Sequence, residues 1–222
     1  MTDQEADALG AAVLADVKPG TVVGLGTGQA ATAFIHALGK AVKGGLRVTG
    51  VPTSEASASL ARTLGIPLID QPMSLDVAVD GADEVDPRLD LVKGFGGALV
   101  REKIVAAAAR RFIVLVGEEK LVKVLGGRGR LPVEVVPFAV PFVTRRLTEL
   151  GYPPVVRDKN GKPWVTDNGN LILDAAVRAI PDPGTLDRTV RDIPGVVGTG
   201  LFVGMAHLVM VWQDGRARTL TR

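Results

Sequence analysis

The chain has 222 residues, with 26 Lys+Arg against 24 Asp+Glu and no cysteine. That length is enough for one or two domains with self-supporting cores, and the missing thiol excludes a disulfide framework, a thiolate nucleophile and a cysteine-built zinc site. A net charge of +2 with 4% aromatics gives neither the basic face nor the stacking platforms of a nucleic-acid binder, and no apolar run approaches the roughly 20 residues that cross a bilayer.

Taken in order, the opening MTDQEADALG is acidic and lacks the basic and apolar regions of a signal peptide, so a cytoplasmic location is expected. An amphipathic helix is predicted over Asp3 to Val17, stopped by Pro19-Gly20. Thr21 to Leu25 reads as a buried strand that hands over through Gly26-Thr27-Gly28 to a helix reaching Val42. Further strands are predicted at Leu46 to Val51, Leu75 to Asp80 and Phe112 to Val116, with helices at Glu55 to Leu64 and Ala98 to Arg111 between them. This alternation is the signature of a Rossmann-like α/β unit, a mostly parallel sheet flanked by helices. At Gly126-Gly127-Arg128-Gly129 the pattern changes to short strands around helices at Val140 to Leu150 and Gly184 to Arg191, predicting a second, smaller α+β (ferredoxin-like) domain. The expected division is residues 1–127 plus 203–222 for the catalytic α/β domain and 128–202 for the small one. Leu201 to Val203 and Leu208 to Trp212 read as strands of a terminal hairpin, and this apolar segment, with the small domain, is a candidate dimer interface.

Three motifs carry chemistry. The loop Gly24-Leu25-Gly26-Thr27-Gly28 lies where a strand meets a helix, a place suited to phosphate because free N–H groups and the helix dipole favour an anion. No acidic residue occurs between Gly28 and Glu55 to bind a ribose hydroxyl, which argues against a dinucleotide, and no lysine completes a Walker pattern. A tight turn required only by packing remains open at this point. Next, Asp80-Gly81-Ala82-Asp83-Glu84-Val85-Asp86 sets four carboxylates in seven residues at the expected C-terminal edge of the sheet, where they can shuttle protons or hold Mg²⁺, or form only a solvated acidic turn. Last, Lys93-Gly94-Phe95-Gly96-Gly97 leads into a helix whose apolar stripe of Ala98, Leu99, Val105, Ala106 and Ala109 includes one acid, Glu102. Partial desolvation there would raise its pKa towards the range of a general base, and a plain ion pair with Arg101 is the alternative.

Other chemistries find less support. The four serines, at 54, 57, 59 and 74, form no G-x-S-x-G elbow, and His36 and His207 lack metal-site spacing, so no metal ligand is expected. Lys120 follows the strand that ends at Val116 and can reach the same sheet edge.

In combination these segments resemble type A ribose-5-phosphate isomerase, whose pattern is matched by Gly24 to Gly28, Val51 to Ser54, Asp80 to Asp86, Lys93 to Ile104, Leu131 to Val135, Thr166 to Asp174 and Pro194 to Phe202. The resemblance implies interconversion of ribose 5-phosphate and ribulose 5-phosphate through a cis-enediolate, without metal or nucleotide cofactor. A homodimer is expected from the apolar segment and the small domain, and charge and composition lead to no nucleic-acid or membrane partner. The resemblance also implies Glu102 as base, Lys93 as the charge facing the enediolate oxygen, and Asp80 and Asp83 handling hydroxyl protons. Substrate contacts would come from Thr27, Gly28, Gln29, Ala30, Gly81, Ala82, Gly94, Phe95, Gly96 and Lys120, beside Asp80, Asp83 and Lys93. Three departures stand out. Gln29-Ala30 replace the Ser-Thr common in relatives, Phe95 stands where relatives usually have glycine, and no lysine precedes Lys18. An amino-sugar-phosphate deaminase lacks support from the acidic loop and Glu102. A non-catalytic sugar-phosphate sensor is the alternative from another class; it has no need of a base on an apolar helix face, and no helix-turn-helix precedes Thr21.

Overall fold

The computed structural model describes every residue except Pro72, and all elements below are those of the described residues. They fall into two units, residues 1–82, 101–121 and 204–222 in the first and 83–100 and 122–203 in the second.

In the first unit α1 (Asp3–Ala12) begins with a reciprocal cap between Thr2 and Glu5. It leads to β1 (Val22–Leu25), α2 (Gln29–Lys43), β2 (Thr49–Pro52), α3 (Glu55–Thr63) and β3 (Leu75–Gly81). The chain then contributes β4 (Glu84–Val85) and β5 (Leu91–Val92) to the second unit. It returns through α4 (Leu99–Ala108) to β6 (Ala109–Gly117). The helix predicted to Arg111 therefore stops three residues early. Ala109 and Arg111 pair with Leu75 and Val77 of β3, so sheet pairing overrides a helix-prone alanine run that has no local stop.

Nine further strands and two further α-helices follow. β7 (Arg130–Val135), α5 (Val140–Glu149), β8 (Pro154–Val156), β9 (Asp158–Lys159), β10 (Lys162–Pro163), β11 (Leu171–Ala176), α6 (Pro183–Arg191), β12 (Val196–Thr199) and β13 (Leu201–Phe202) belong to the second unit. β14 (Leu208–Gln213) and β15 (Arg216–Thr221) complete the first.

The first unit's sheet has the order β15-β14-β6-β3-β1-β2, parallel except for the β14–β15 hairpin. From β1 the chain crosses to β2 on one side and later to β3 on the other. The carboxyl ends of β1 and β3 thus form a topological switch point, the usual ligand crevice of an open α/β sheet. Leu9, Val23, Leu25, Phe34, Leu38, Val79, Ile113 and Leu115 form its core. The second unit carries a four-stranded antiparallel sheet, β12-β7-β11-β8, with α5 and α6 in its connections, the strand order of a ferredoxin-like βαββαβ unit.

Two expectations change. The terminal hairpin is β14 with β15, turning at Asp214-Gly215, whereas Leu201-Phe202 pair with β5. Within the apolar run from Leu201 to Trp212, Leu201, Phe202, Val209 and Val211 are buried. Residues 83–100 and 122–127 group with the small unit, where the sequence boundary had put them with the large one. Glu84 shows why: it is fully buried, and its carboxylate accepts from the N–H groups of Gly126 at 2.5 Å and Arg128 at 2.6 Å. That glycine stretch is therefore pinned rather than hinge-like. No helix of the described residues is long and apolar enough to cross a membrane.

Candidate active site

The first unit's part of the site is built at the switch point. Gly26 continues β1, and its N–H donates to Val79 O at 3.0 Å. A Cβ at Gly26 would overlap the Asp80 carboxyl, so only glycine lets β1 run this close to that side chain. Asp80, 3% exposed, accepts at Oδ1 from the N–H groups of Thr27 (3.0 Å) and Gly81 (2.7 Å). Gly28, at φ 101° and ψ −179°, occupies backbone space essentially reserved for glycine and starts α2 without a side-chain cap among the described residues. The first turn of α2 has no acid, which leaves the positive end of its dipole open to an anion.

Two of the expected substrate contacts are committed within the protein. The Thr27 hydroxyl lies 2.8 Å from Thr53 Oγ1 and donates to Ser54 Oγ at 2.9 Å, while Ser57 donates to Gly26 O at 2.5 Å. Gln29 Nε2 donates to Asp3 Oδ1 at 2.7 Å, so its amide ties α2 to α1. The cluster of Thr53, Ser54 and Ser57 shapes the glycine loop and was missed as a functional group in the sequence, although Val51 to Ser54 matched the family pattern. Ala30 is buried, and Lys120 is half-buried in the turn after β6.

Glu102 is 4% exposed on α4, in the company of Leu99, Val105 and Ala106, each no more than 5% exposed, as the stripe required. It shares a narrow crevice with Gly24, Gly26, Thr53, Asp80 and Phe112. The structure thus brings Glu102, Asp80 and the glycine loop to one place in the first unit. A carboxylate walled by strand backbone and apolar side chains meets the geometric requirement for a proton acceptor shielded from water.

The second unit holds Asp83, Lys93 and the glycine turn. Asp83 N–H donates to Val92 O at 2.8 Å, and its Oδ2 accepts from Phe95 N–H at 3.0 Å. Lys93 is 2% exposed, with its N–H donating to Gly200 O at 2.8 Å and its ammonium 5.6 Å from the Phe202 ring centre. Gly94 and Gly97 close a turn at φ 101° and 89°. Of the acidic loop's other carboxylates, Glu84 holds the 126–128 backbone as described, and Asp86 caps its own turn through Arg88 N–H and Asp90 N–H, both at 2.9 Å. All four acids of the motif thus accept backbone N–H groups, Asp80 and Asp83 as well as Glu84 and Asp86. His207 is structural too, exchanging two 3.0 Å hydrogen bonds with the Phe112 backbone, one of them accepted by Nδ1.

Known proteins resemble this chain over most of its length. Residues 49–215 match the sequence profile of ribose 5-phosphate isomerase A (phosphoriboisomerase A). A ribose-5-phosphate isomerase A of Roseiflexus sp. (strain RS-1) is 53% identical over 203 residues, 89% of this chain and 87% of that protein. The one from Thermomicrobium roseum is 50% identical over 210 residues, 93% of this chain and 89% of its own length. Among solved structures, the ribose 5-phosphate isomerase A of Methanocaldococcus jannaschii superposes with a TM-score of 0.95 at 40% identity, covering all of both chains. A D-ribose-5-phosphate isomerase in complex with phospho-erythronic acid does so with a TM-score of 0.94 at 38% identity, again over all of both chains. With its profile matched over most of its length and half its residues shared with such relatives, this chain belongs to the ribose 5-phosphate isomerase A family.

Proposed function

We propose that the chain performs its family's reaction, interconverting ribose 5-phosphate and ribulose 5-phosphate, with Glu102 as the single base. The observation that carries this reading is a buried glutamate on an apolar helix stripe, lining the switch-point crevice beside Asp80. Moving the carbonyl from C1 to C2 requires that the C2 proton leave, that a cis-enediolate form, and that the proton return to C1. Glu102 takes the proton from C2 and gives it back at C1. A positioned base of this kind contributes about 10² to 10⁴ in rate. Lys93 supplies the charge that faces the developing enediolate oxygen, a contribution on the order of 10² to 10³ by analogy with other oxyanion donors. Asp80 and Asp83 move the hydroxyl protons, including the one that opens the furanose ring. The substrate phosphate is assigned to the sheet edge served by the N-terminus of α2 and by Lys120. No step of this proton transfer calls for a metal or a redox cofactor.

Phospho-erythronic acid, bound by the related structure, is a four-carbon sugar-acid phosphate whose planar carboxylate resembles an enediolate in shape and charge, which supports the same chemistry here. The buried base has no purpose in a non-catalytic sensor. We further propose a homodimer and a cytoplasmic location. Exposed Phe138, Phe142, Val155 and Val197 of the second unit support self-association, and a chain without cysteine needs no oxidising compartment.

The test is ribulose 5-phosphate formation by purified protein in EDTA, with Glu102→Gln as matched control. Turnover in the parent and its loss in the variant, with phospho-erythronic acid binding kept within about tenfold, is the expected result. Full turnover by the variant would remove Glu102 from the base's role.

A further inference from the structure

The glycine turn that follows Lys93 is held from behind by a buried ion pair to which the reaction as described assigns no part. Arg157, just after β8, is 7% exposed, and all three of its guanidinium nitrogens donate hydrogen bonds. Nε donates to Asp174 Oδ2 at 2.8 Å and Nη2 to Asp174 Oδ1 at 2.5 Å, a two-pronged pairing along one edge. Nη1 reaches the other way, donating to the carbonyls of Gly94 at 2.8 Å and Phe95 at 3.2 Å. The same Asp174 lies 3.8 Å from Arg130, whose guanidinium sits 4.0 Å from the centre of the Phe95 ring. The front of the turn is tied as well, because Phe95 N–H is the donor to Asp83 Oδ2.

We propose that Arg157, clamped by Asp174 and assisted by Arg130, is a positioning residue for the isomerisation. It fixes the two carbonyls of the Gly94-Phe95 segment, and through that segment it sets where the Lys93 charge and the Asp83 carboxylate stand. This rests on the reading above, in which Lys93 and Asp83 act on the reacting atoms. The pairing is expensive for stability alone, since a buried ion pair can be replaced by apolar side chains of similar volume without loss. The guanidinium fork does what an apolar pair cannot, because it joins one carboxylate and two backbone oxygens in a single rigid plane. Phe95 gives the fork a second point of support. The Phe95 ring is stacked against the Arg130 guanidinium and anchors the turn from its flank.

The experiment compares the parent with the double variant Arg157→Met, Asp174→Leu, which removes the pair without leaving a buried charge unpartnered. The expected outcome is a melting temperature close to the parent's, a kcat for ribose 5-phosphate lower by about 10²-fold, and a KM within about threefold, since misplacement of reacting groups by about 1 Å costs that much in rate. Arg157→Lys, which keeps the charge but lacks the fork, and Arg130→Gln, on a half-exposed side chain, carry the same test if the double variant does not fold. Each is expected to lower kcat at least threefold without a matching loss of melting temperature. A folded variant whose kcat stays within threefold of the parent's overturns the proposal, leaving the pair a purely structural one. An inactive parent would instead count against the isomerase reading, so the two failures are distinguishable.

Discussion

Thr27 and Asp80 join the carboxyl ends of β1 and β3 directly: the Thr27 backbone N–H donates to Asp80 Oδ1 at 3.0 Å across the switch point of the sheet. The adjacent Gly81 N–H supplies a second bond to the same oxygen. One carboxylate oxygen is thereby fixed by two peptide groups. The Thr27 hydroxyl faces away from this bond into the cluster of Thr53, Ser54 and Ser57, so one residue couples the glycine loop both to the acid and to the start of α3.

Asp80→Asn retains an oxygen for the two N–H donors but removes the charge and the ability to carry a proton. Its thermal unfolding is expected to stay within a few degrees of the parent's, while kcat falls by about 10²-fold, in the range of a lost acid–base group. Steady-state kinetics beside a thermal melt checks this. A variant as active as the parent would assign the carboxylate to loop structure alone.

Gly26→Ala tests the close approach itself. The added methyl would overlap the Asp80 carboxyl and also meet the Asp80 backbone, which cannot yield as a flexible side-chain end could. Both stability and kcat are expected to fall, with kcat down by at least 10²-fold as Asp80 is pushed from its donors. Gly28→Ala is the informative contrast. It meets no neighbour within 4 Å but must adopt φ near 101°, so its cost is backbone strain of about 1–3 kcal/mol. Urea unfolding of the two proteins separates overlap from strain.

How much of this was legible in the sequence follows from the range over which each interaction acts. The parallel sheet and the switch-point loop were readable because apolar strands, glycine punctuation and helical stripes are local patterns, and Glu102 stood out as the one acid on such a stripe. Arg216–Thr221 was missed as a strand because its side chains are mostly exposed and polar, on the edge of the sheet beyond β14. The clamp on the glycine turn was not readable at all, since Arg157 and Gly94 are 63 residues apart and an arginine followed by an aspartate looks like any solvated pair. Thr166 to Asp174 did carry a signal, as a matched family segment, but nothing local said that Asp174 holds Arg157 or that Asn168 and Asn170 serve Glu134.

That last group gives a stability prediction. Glu134 is fully buried on β7, and its Oε1 accepts from Thr166 Oγ1 (3.0 Å), Asn168 Nδ2 (3.0 Å) and Asn170 Nδ2 (2.9 Å), while Oε2 has no hydrogen-bond partner among the described residues. Glu134→Ala strands the buried Thr166 hydroxyl and takes the acceptor from exposed Asn168 and half-buried Asn170, and should cost about 1–3 kcal/mol, the range for one orphaned buried group. Glu134→Gln keeps the acceptor and should cost much less. Equal losses in urea denaturation would show that the charge, and not the acceptor, holds the loop.

A pH-dependent prediction concerns α6, whose N-cap is Asp182. The Thr185 backbone N–H, donating to its Oδ1 at 3.0 Å, and then the Thr185 side chain hold this carboxyl below the usual carboxylate range. A carboxyl whose pKa is lower in the folded state stabilises the fold above its unfolded value, and that contribution is lost as pH falls through the folded one. Asp182→Asn keeps a side-chain oxygen for the cap but cannot ionise. The parent is therefore expected to melt higher than Asp182→Asn at pH 7, with the gap closing as pH is lowered through about 4 and below. Thermal melts of the two proteins across pH 2 to 7 check this, and a gap that stays constant over that range would show that the cap acts as a neutral acceptor only.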